Sequence, residues 1–191
     1  DRVCPANIFE MMEDMRARWL KLREANPGPW AIFSISLGGM ITMAWISRHP
    51  EDFERVVMAN SSAKPLNKFY ERFSLVNVRF FPSFFFNPSK VNRERTILKF
   101  TTSLVNDRLE EIAHKYASFS LDVKKLRETG IRQLTAGARF SMPGNLKDFG
   151  KRKKVLIINS TGDTLCKPVC SEKMAEFMNA KLVTHPTANH D

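Results

Sequence analysis

The chain has 191 residues, 43% of them hydrophobic and 26% charged, which are ordinary values for a globular protein with a proper core. No stretch approaches the ~20 apolar residues that a membrane-spanning helix needs. The formal net charge of +10 raises the question of polyanions, but the basic residues are scattered, with Lys151-Arg152-Lys153-Lys154 the one dense run. That run precedes an apolar segment and reads as a solvated strand entry, so nucleic acid is not expected as a partner.

Three cysteines, Cys4, Cys166 and Cys170, form no regular framework. An odd count of this kind points to reduced thiols and a cytoplasmic setting. Cys166 and Cys170 lack a second ligand pair that would complete a zinc site, so they read as packing residues, and no metal or other cofactor is expected. The opening Asp-Arg-Val-Cys-Pro is not a signal peptide and lacks an initiator Met, and the chain stops at Asn189-His190-Asp191. Both ends read as cut.

Residues 6–25 carry Ile8, Met11, Met12, Met15, Trp19 and Leu22 at three- and four-residue spacing, the signature of an amphipathic helix. Asn26-Pro27-Gly28-Pro29 stops it. Residues 30–35 form a short apolar run, expected as a strand buried on both faces. Ser36-Leu37-Gly38-Gly39 follows at once, residues 37–48 read as a helix, and Arg55 to Asn60 as a second buried strand. Strand, tight turn, helix and strand within about thirty residues make a βαβ unit and imply a parallel sheet.

From residue 64 to 147 helical stretches dominate, at 66–78, 91–103, 105–117 and 121–137. Between the first two lies a phenylalanine-rich segment, Phe80 to Phe86, broken by Pro82. It reads as core between a helical insertion and the sheet, as the lining of an apolar acyl pocket, or, least well, as a membrane-surface contact. Alternation of strand and helix resumes with Val155 to Asn159, a loop at 160–164, a helix at 168–179 that begins near Pro168, and a strand at 181–185.

Functional groups collect at the carboxyl ends of strands in open parallel sheets. Here three such ends offer a serine, an aspartate and a histidine in that order. Ser36 sits on a sharp strand-to-helix turn beside two glycines, and the backbone N–H of Leu37 lies at a helix N-terminus, where developing negative charge is favoured.

Ser34-Ile35-Ser36-Leu37-Gly38-Gly39 resembles the nucleophile elbow of the α/β-hydrolase superfamily. Thr161-Gly162-Asp163-Thr164-Leu165 resembles its acid loop, and His185 to Asp191 its histidine loop. The resemblance implies an α/β fold: residues 1–63 and 148–191 as a parallel-sheet core holding the last four strands, and residues 64–147 as an inserted helical cap. It further implies a catalytic triad of Ser36 as nucleophile, His190 as general base and then acid, and Asp163 as the residue that orients the imidazole. Leu37 N–H would be one oxyanion-hole donor, the second being expected upstream of Asp1. Ser34 departs from the family pattern, in which glycine stands two residues before the nucleophile, and so implies extra strain in the turn.

Each residue also has a plainer reading. Ser36 to Gly39 could be an ordinary turn, Asp163 a loop cap, and His190 a surface histidine. His185 is a weaker candidate at the end of its strand, His49 and His114 fall in or beside helices, and Asp191 is too close to His190 to orient it. The expected activity is that of a serine hydrolase acting on carboxylic esters of small apolar or amphipathic molecules, with a small ester-like molecule as partner. A non-catalytic binding protein on the same scaffold is the alternative.

Overall fold

The computed structural model describes residues 3–73, 82, 86–102, 106–120 and 122–190. Helix α1 (Ile8–Ala25) starts where the Asn7 side chain accepts a hydrogen bond from Phe9 N, satisfying one of the amides left free in a first turn. It is followed by strand β1 (Ala31–Ile35), helix α2 (Leu37–Arg48) and strand β2 (Arg55–Ala59). Strand β3 (Lys154–Ser160), helix α7 (Val169–Met178) and strand β4 (Lys181–His185) close the chain. The four strands lie in the order β1-β2-β3-β4 and every pair is parallel, β1–β2 and β3–β4 each across one helix and β2–β3 across the long connection between them.

Period-two alternation decides which side chains reach the core. Val56, Met58, Val155 and Ile157 point to one face and join Met12 of α1, Met43 and Trp45 of α2, and Met174 and Met178 of α7 in a single apolar cluster. The opposite face carries Phe33, 63% exposed, and Val183, 41% exposed, with Arg55, Lys154 and Lys181 exposed beside them. The expectation that residues 30–35 are buried on both faces is thus corrected. The helices of the core cluster all pack against one side of the sheet, and in β1 Ala31 and Phe33 are exposed while Ile32, Ser34 and Ile35 are half-buried. Within α1 the buried stripe is Ile8, Met11, Met12 and Trp19, while Met15 and Leu22 lie at its margin and stay exposed.

Between β2 and β3 the described elements are helical: α3 (Phe69–Arg72), α4 (Lys90–Thr101), α5 (Leu109–Ala117) and α6 (Val123–Arg139), with short 3-10 turns at 106–108, 144–146 and 149–151. Lys64 and Ser141 form an isolated parallel bridge, so the two ends of this excursion meet at the edge of the core. Helix α3 is much shorter than the 66–78 expected, and the remainder of that range beyond residue 73 lies outside the described residues. So does most of the phenylalanine segment. Of it, Phe86 is 66% exposed, with the Arg127 guanidinium 5.0 Å from its ring centre.

At the amino end of the sheet, Asp52 gathers a set of polar contacts from α1 and α2. Its carboxylate accepts from Arg16 Nε at 2.6 Å, Trp45 Nε1 at 2.8 Å and Arg23 Nη1 at 3.3 Å, and the residue is only 7% exposed. Burial pushes the Asp52 carboxyl up, but the hydrogen bonds from Arg16 and Trp45 outweigh it and hold the group below its ordinary value. A folded-state value below the unfolded one means that the contribution is full above the unfolded pKa of about 3.9 and is lost as pH falls through the folded value. Asp52→Asn is expected to lower the neutral-pH stability by about 2–4 kcal/mol, because Arg16 is left partly buried and unpaired. It should also flatten the decline in stability below about pH 4, and chemical denaturation at pH 7 and pH 3 checks both.

Candidate active site

Ser36 occupies the tight junction between β1 and α2 with φ 54° and ψ −117°, a left-handed backbone that a residue with a Cβ rarely adopts. Its surroundings hold it there. Ser36 N donates to Ala59 O at 3.0 Å and Ser61 Oγ donates to Ser36 O at 2.7 Å, so the end of β2 grips the serine on both sides of its Cα. Gly39 makes the approach possible, since a Cβ there would stand 2.5 Å from Ser61 Oγ and 2.6 Å from its Cβ. Leu37 opens α2, where first-turn amides have no acceptor within the helix.

Ser34, the departure from the family pattern, is accommodated by what faces it. Its Cβ lies 3.4 Å from the place a Cβ on Gly38 would occupy, and its hydroxyl accepts from Thr42 Oγ1 at 3.0 Å and donates to Val57 O at 3.4 Å. The bulk omitted at Gly38 makes room for the bulk added at Ser34.

Asp163 and His190 meet at the carboxyl ends of β3 and β4. Asp163 Oδ2 lies 2.8 Å from His190 Nδ1, and the two residues are 6% and 5% exposed. The other carboxylate oxygen accepts from Leu165 N at 2.7 Å and Cys166 N at 2.9 Å. With both its oxygens engaged, Asp163 has a fixed orientation. The aspartate is thus a loop cap as well as the partner of the imidazole, so its two sequence readings are compatible.

The acid and histidine loops are laced together. Thr161 N donates to His185 O and Gly162 N to Ala188 O, each at 3.1 Å, and Thr161 Oγ1 donates to Pro186 O. Gly162 permits the contact, because a Cβ there would fall 2.7 Å from Ala188 O. His185 is exposed, and its Nδ1 accepts from Ala188 N at 2.9 Å and Thr187 N at 3.3 Å, which makes it a brace for the loop. The histidine backbone is tied from two further sides. His190 N donates to Thr101 O at the end of α4, and His190 O accepts from the Asn60 side chain.

Cys166 and Cys170 are free and buried behind the acid loop. Hydrogen bonding to Cys170, then burial, pushes the Cys166 thiol well above its ordinary value, which disfavours the thiolate there. Among the described residues no group of three potential ligands could hold a metal ion. Nor is any described helix long and apolar enough to cross a membrane. Asn60 and Ser61 are the site residues that sequence reasoning missed. Only the position of Asn60 at the end of an apolar strand could have flagged it.

The family model for the alpha/beta hydrolase fold matches residues 4–191. The chain belongs to the α/β-hydrolase family. Among solved structures, the chain resembles a 2-hydroxy-6-oxo-6-phenylhexa-2,4-dienoate hydrolase from a Rhodococcus species, with a TM-score of 0.77 at 20% identity. That match covers 100% of this chain and 68% of the other. A serine hydrolase from the polyaromatic-hydrocarbon-degrading bacterium Cycloclasticus zankles gives 0.74 at 18% identity, over 100% and 68% of the two chains. A thermophilic esterase from Thermogutta terrifontis gives 0.66 at 15% identity, over 99% and 67%. A search of curated proteins by sequence returns no match. At these identities the likeness establishes the α/β-hydrolase fold, with its parallel sheet, and leaves the chemistry to be argued from the residues.

Proposed function

We propose that this α/β-hydrolase chain carries the catalytic triad Ser36, His190 and Asp163 of a serine hydrolase. It would act on carboxylic esters of small apolar or amphipathic molecules. The observation that carries this reading is the backbone of Ser36. A left-handed φ on a serine costs of order 1–3 kcal/mol and persists only where the surroundings impose it. The β2 end supplies that constraint through Ala59 O and Ser61 Oγ. A buried histidine–aspartate pair at the same carboxyl end of the sheet supports the reading, since burying both groups is favourable only when each has its partner.

In the proposed reaction Ser36 Oγ bonds to the ester carbonyl carbon while its proton passes to His190 Nε2. The carbonyl π electrons move onto oxygen, and Leu37 N–H donates to that oxyanion. Collapse of the adduct breaks the bond to the alcohol oxygen, which leaves with the proton from His190. Water then repeats the sequence on the acyl-serine, giving up a proton to His190 and releasing the carboxylic acid as Ser36 recovers its own. Asp163 accepts from His190 Nδ1–H throughout, holding Nε2 ready to take a proton.

We assign residues 64–147 to a cap over the core formed by 1–63 and 148–191. Two contacts support this: the Lys64–Ser141 bridge at its base, and Thr101 O against His190 N at its site end. The test is covalent labelling of the protein with a fluorophosphonate. Labelling should occur at one serine, and Ser36→Ala should abolish it while leaving the thermal midpoint within a few degrees. Absence of labelling in the folded protein, or labelling that survives Ser36→Ala, would reject the reading.

A further inference from the structure

Three consecutive residues at the exit of β2 touch every loop of the proposed site. Ala59 O accepts from Ser36 N, and Ser61 Oγ donates to Ser36 O. Between them Asn60 N donates to Ile158 O of β3 at 3.0 Å. The Asn60 side chain crosses to the histidine loop, with Nδ2 2.8 Å from His190 O, 3.2 Å from Asn189 O and 3.2 Å from Ser160 Oγ. Two of these partners are backbone carbonyls, which only accept, so the NH2 end of the amide must face them. Asn60 is 6% exposed and has φ 48°, a left-handed backbone that asparagine tolerates better than most residues.

We infer that Asn60 is a positioning residue that sets the distance between the nucleophile turn and the histidine loop, an inference that rests on the serine-hydrolase reading. The Ser36 turn and the His190 loop come from opposite edge strands, β1 and β4, with β2 and β3 between them. Asn60 spans that gap with one side chain. Its backbone is continuous with the residues gripping Ser36, and its amide holds the peptide of the general base. The reacting groups of such a pair must be held to within about 1 Å, and a misplacement of that size costs on the order of 10²-fold in rate.

The test uses Asn60→Gly, which keeps the left-handed backbone and removes the amide, and Asn60→Asp, which keeps its shape but turns an acceptor toward the carbonyls. Two readouts are taken on the protein: the rate of labelling by a fluorophosphonate, and the far-downfield proton resonance of His190 Nδ1–H. The expected result is labelling about 10- to 100-fold slower, with that resonance broadened or lost, in a variant that is still folded. Labelling at the parental rate with an intact resonance overturns the inference, however far the thermal midpoint falls. If Asn60→Gly does not fold, Asn60→Asp takes the test, and failure of both to fold assigns Asn60 to structure alone and also overturns it. If the parent protein does not label, the hydrolase reading falls by itself. The resonance then decides the clamp, and its persistence in Asn60→Gly rejects it.

Discussion

Asp163→Asn is expected to slow acylation of Ser36 by about 10⁴-fold while leaving the protein folded. The reason lies in the division of labour between the two carboxylate oxygens. Oδ1 accepts from two backbone amides, Leu165 N and Cys166 N, and Oδ2 faces His190 Nδ1. An asparagine can satisfy the two amides only by placing its oxygen toward them, which sends its NH2 toward the imidazole. Nδ1 must then accept, the ring proton moves to Nε2, and Nε2 can no longer take the proton of Ser36. The same loop that fixes Asp163 would therefore fix the wrong histidine tautomer. Rapid-mixing measurements of acylation with a chromogenic ester, alongside the Nδ1 proton resonance, check this. Acylation within tenfold of the parent would remove Asp163 from the triad.

The second large effect is expected at Gly39. A methyl group there would overlap Ser61 Cβ and Oγ, and Ser61 is 2% exposed and cannot move aside into solvent. Overpacking of this kind costs about 1–3 kcal/mol. Relief by moving the β2 exit would also break the Ser61 Oγ–Ser36 O bond that holds the turn at Ser36. Gly39→Ala should therefore lose both stability and most of the labelling at Ser36. Adding Ser61→Gly should return the stability, because the clash is gone, but not the labelling, because the hydrogen bond is gone too. A double-mutant cycle in denaturant and in labelling rate separates the two. Equal recovery of both would show that Ser61 only fills space.

Much of the architecture was legible because the strands are short and apolar, α1 is amphipathic, and strong breakers punctuate the chain. Asn26-Pro27-Gly28-Pro29 ends α1, His49-Pro50 follows α2, and Pro168 precedes the first residue of α7. The order serine, aspartate, histidine could be read in the same way, since Ser36 directly follows β1 and the other two lie in the loops that leave β3 and β4. Burial of the strands was less legible. Periodicity shows that a run such as 30–35 is apolar but not that the helices pack on one side of it, and Phe33 is exposed for that reason. The clamp at Asn60 was invisible for a different reason. Its partners, Asn189 and His190, lie about 130 positions away, and their accepting groups are backbone carbonyls that no sequence pattern marks.

The ladder between β2 and β3 also has a consequence for how the molecule forms. β1 pairs with β2, and β3 with β4, across one helix each, so these two units are closed by local contacts. The rungs from Arg55–Lys154 to Ala59–Ile158 close the whole helical excursion, and such distant contacts are made late because the chain must first lose the entropy of that loop. Ser36 belongs to the first unit, whereas Asp163 and His190 belong to the second. Opening along this one seam would part Ser36 from Asp163 and His190.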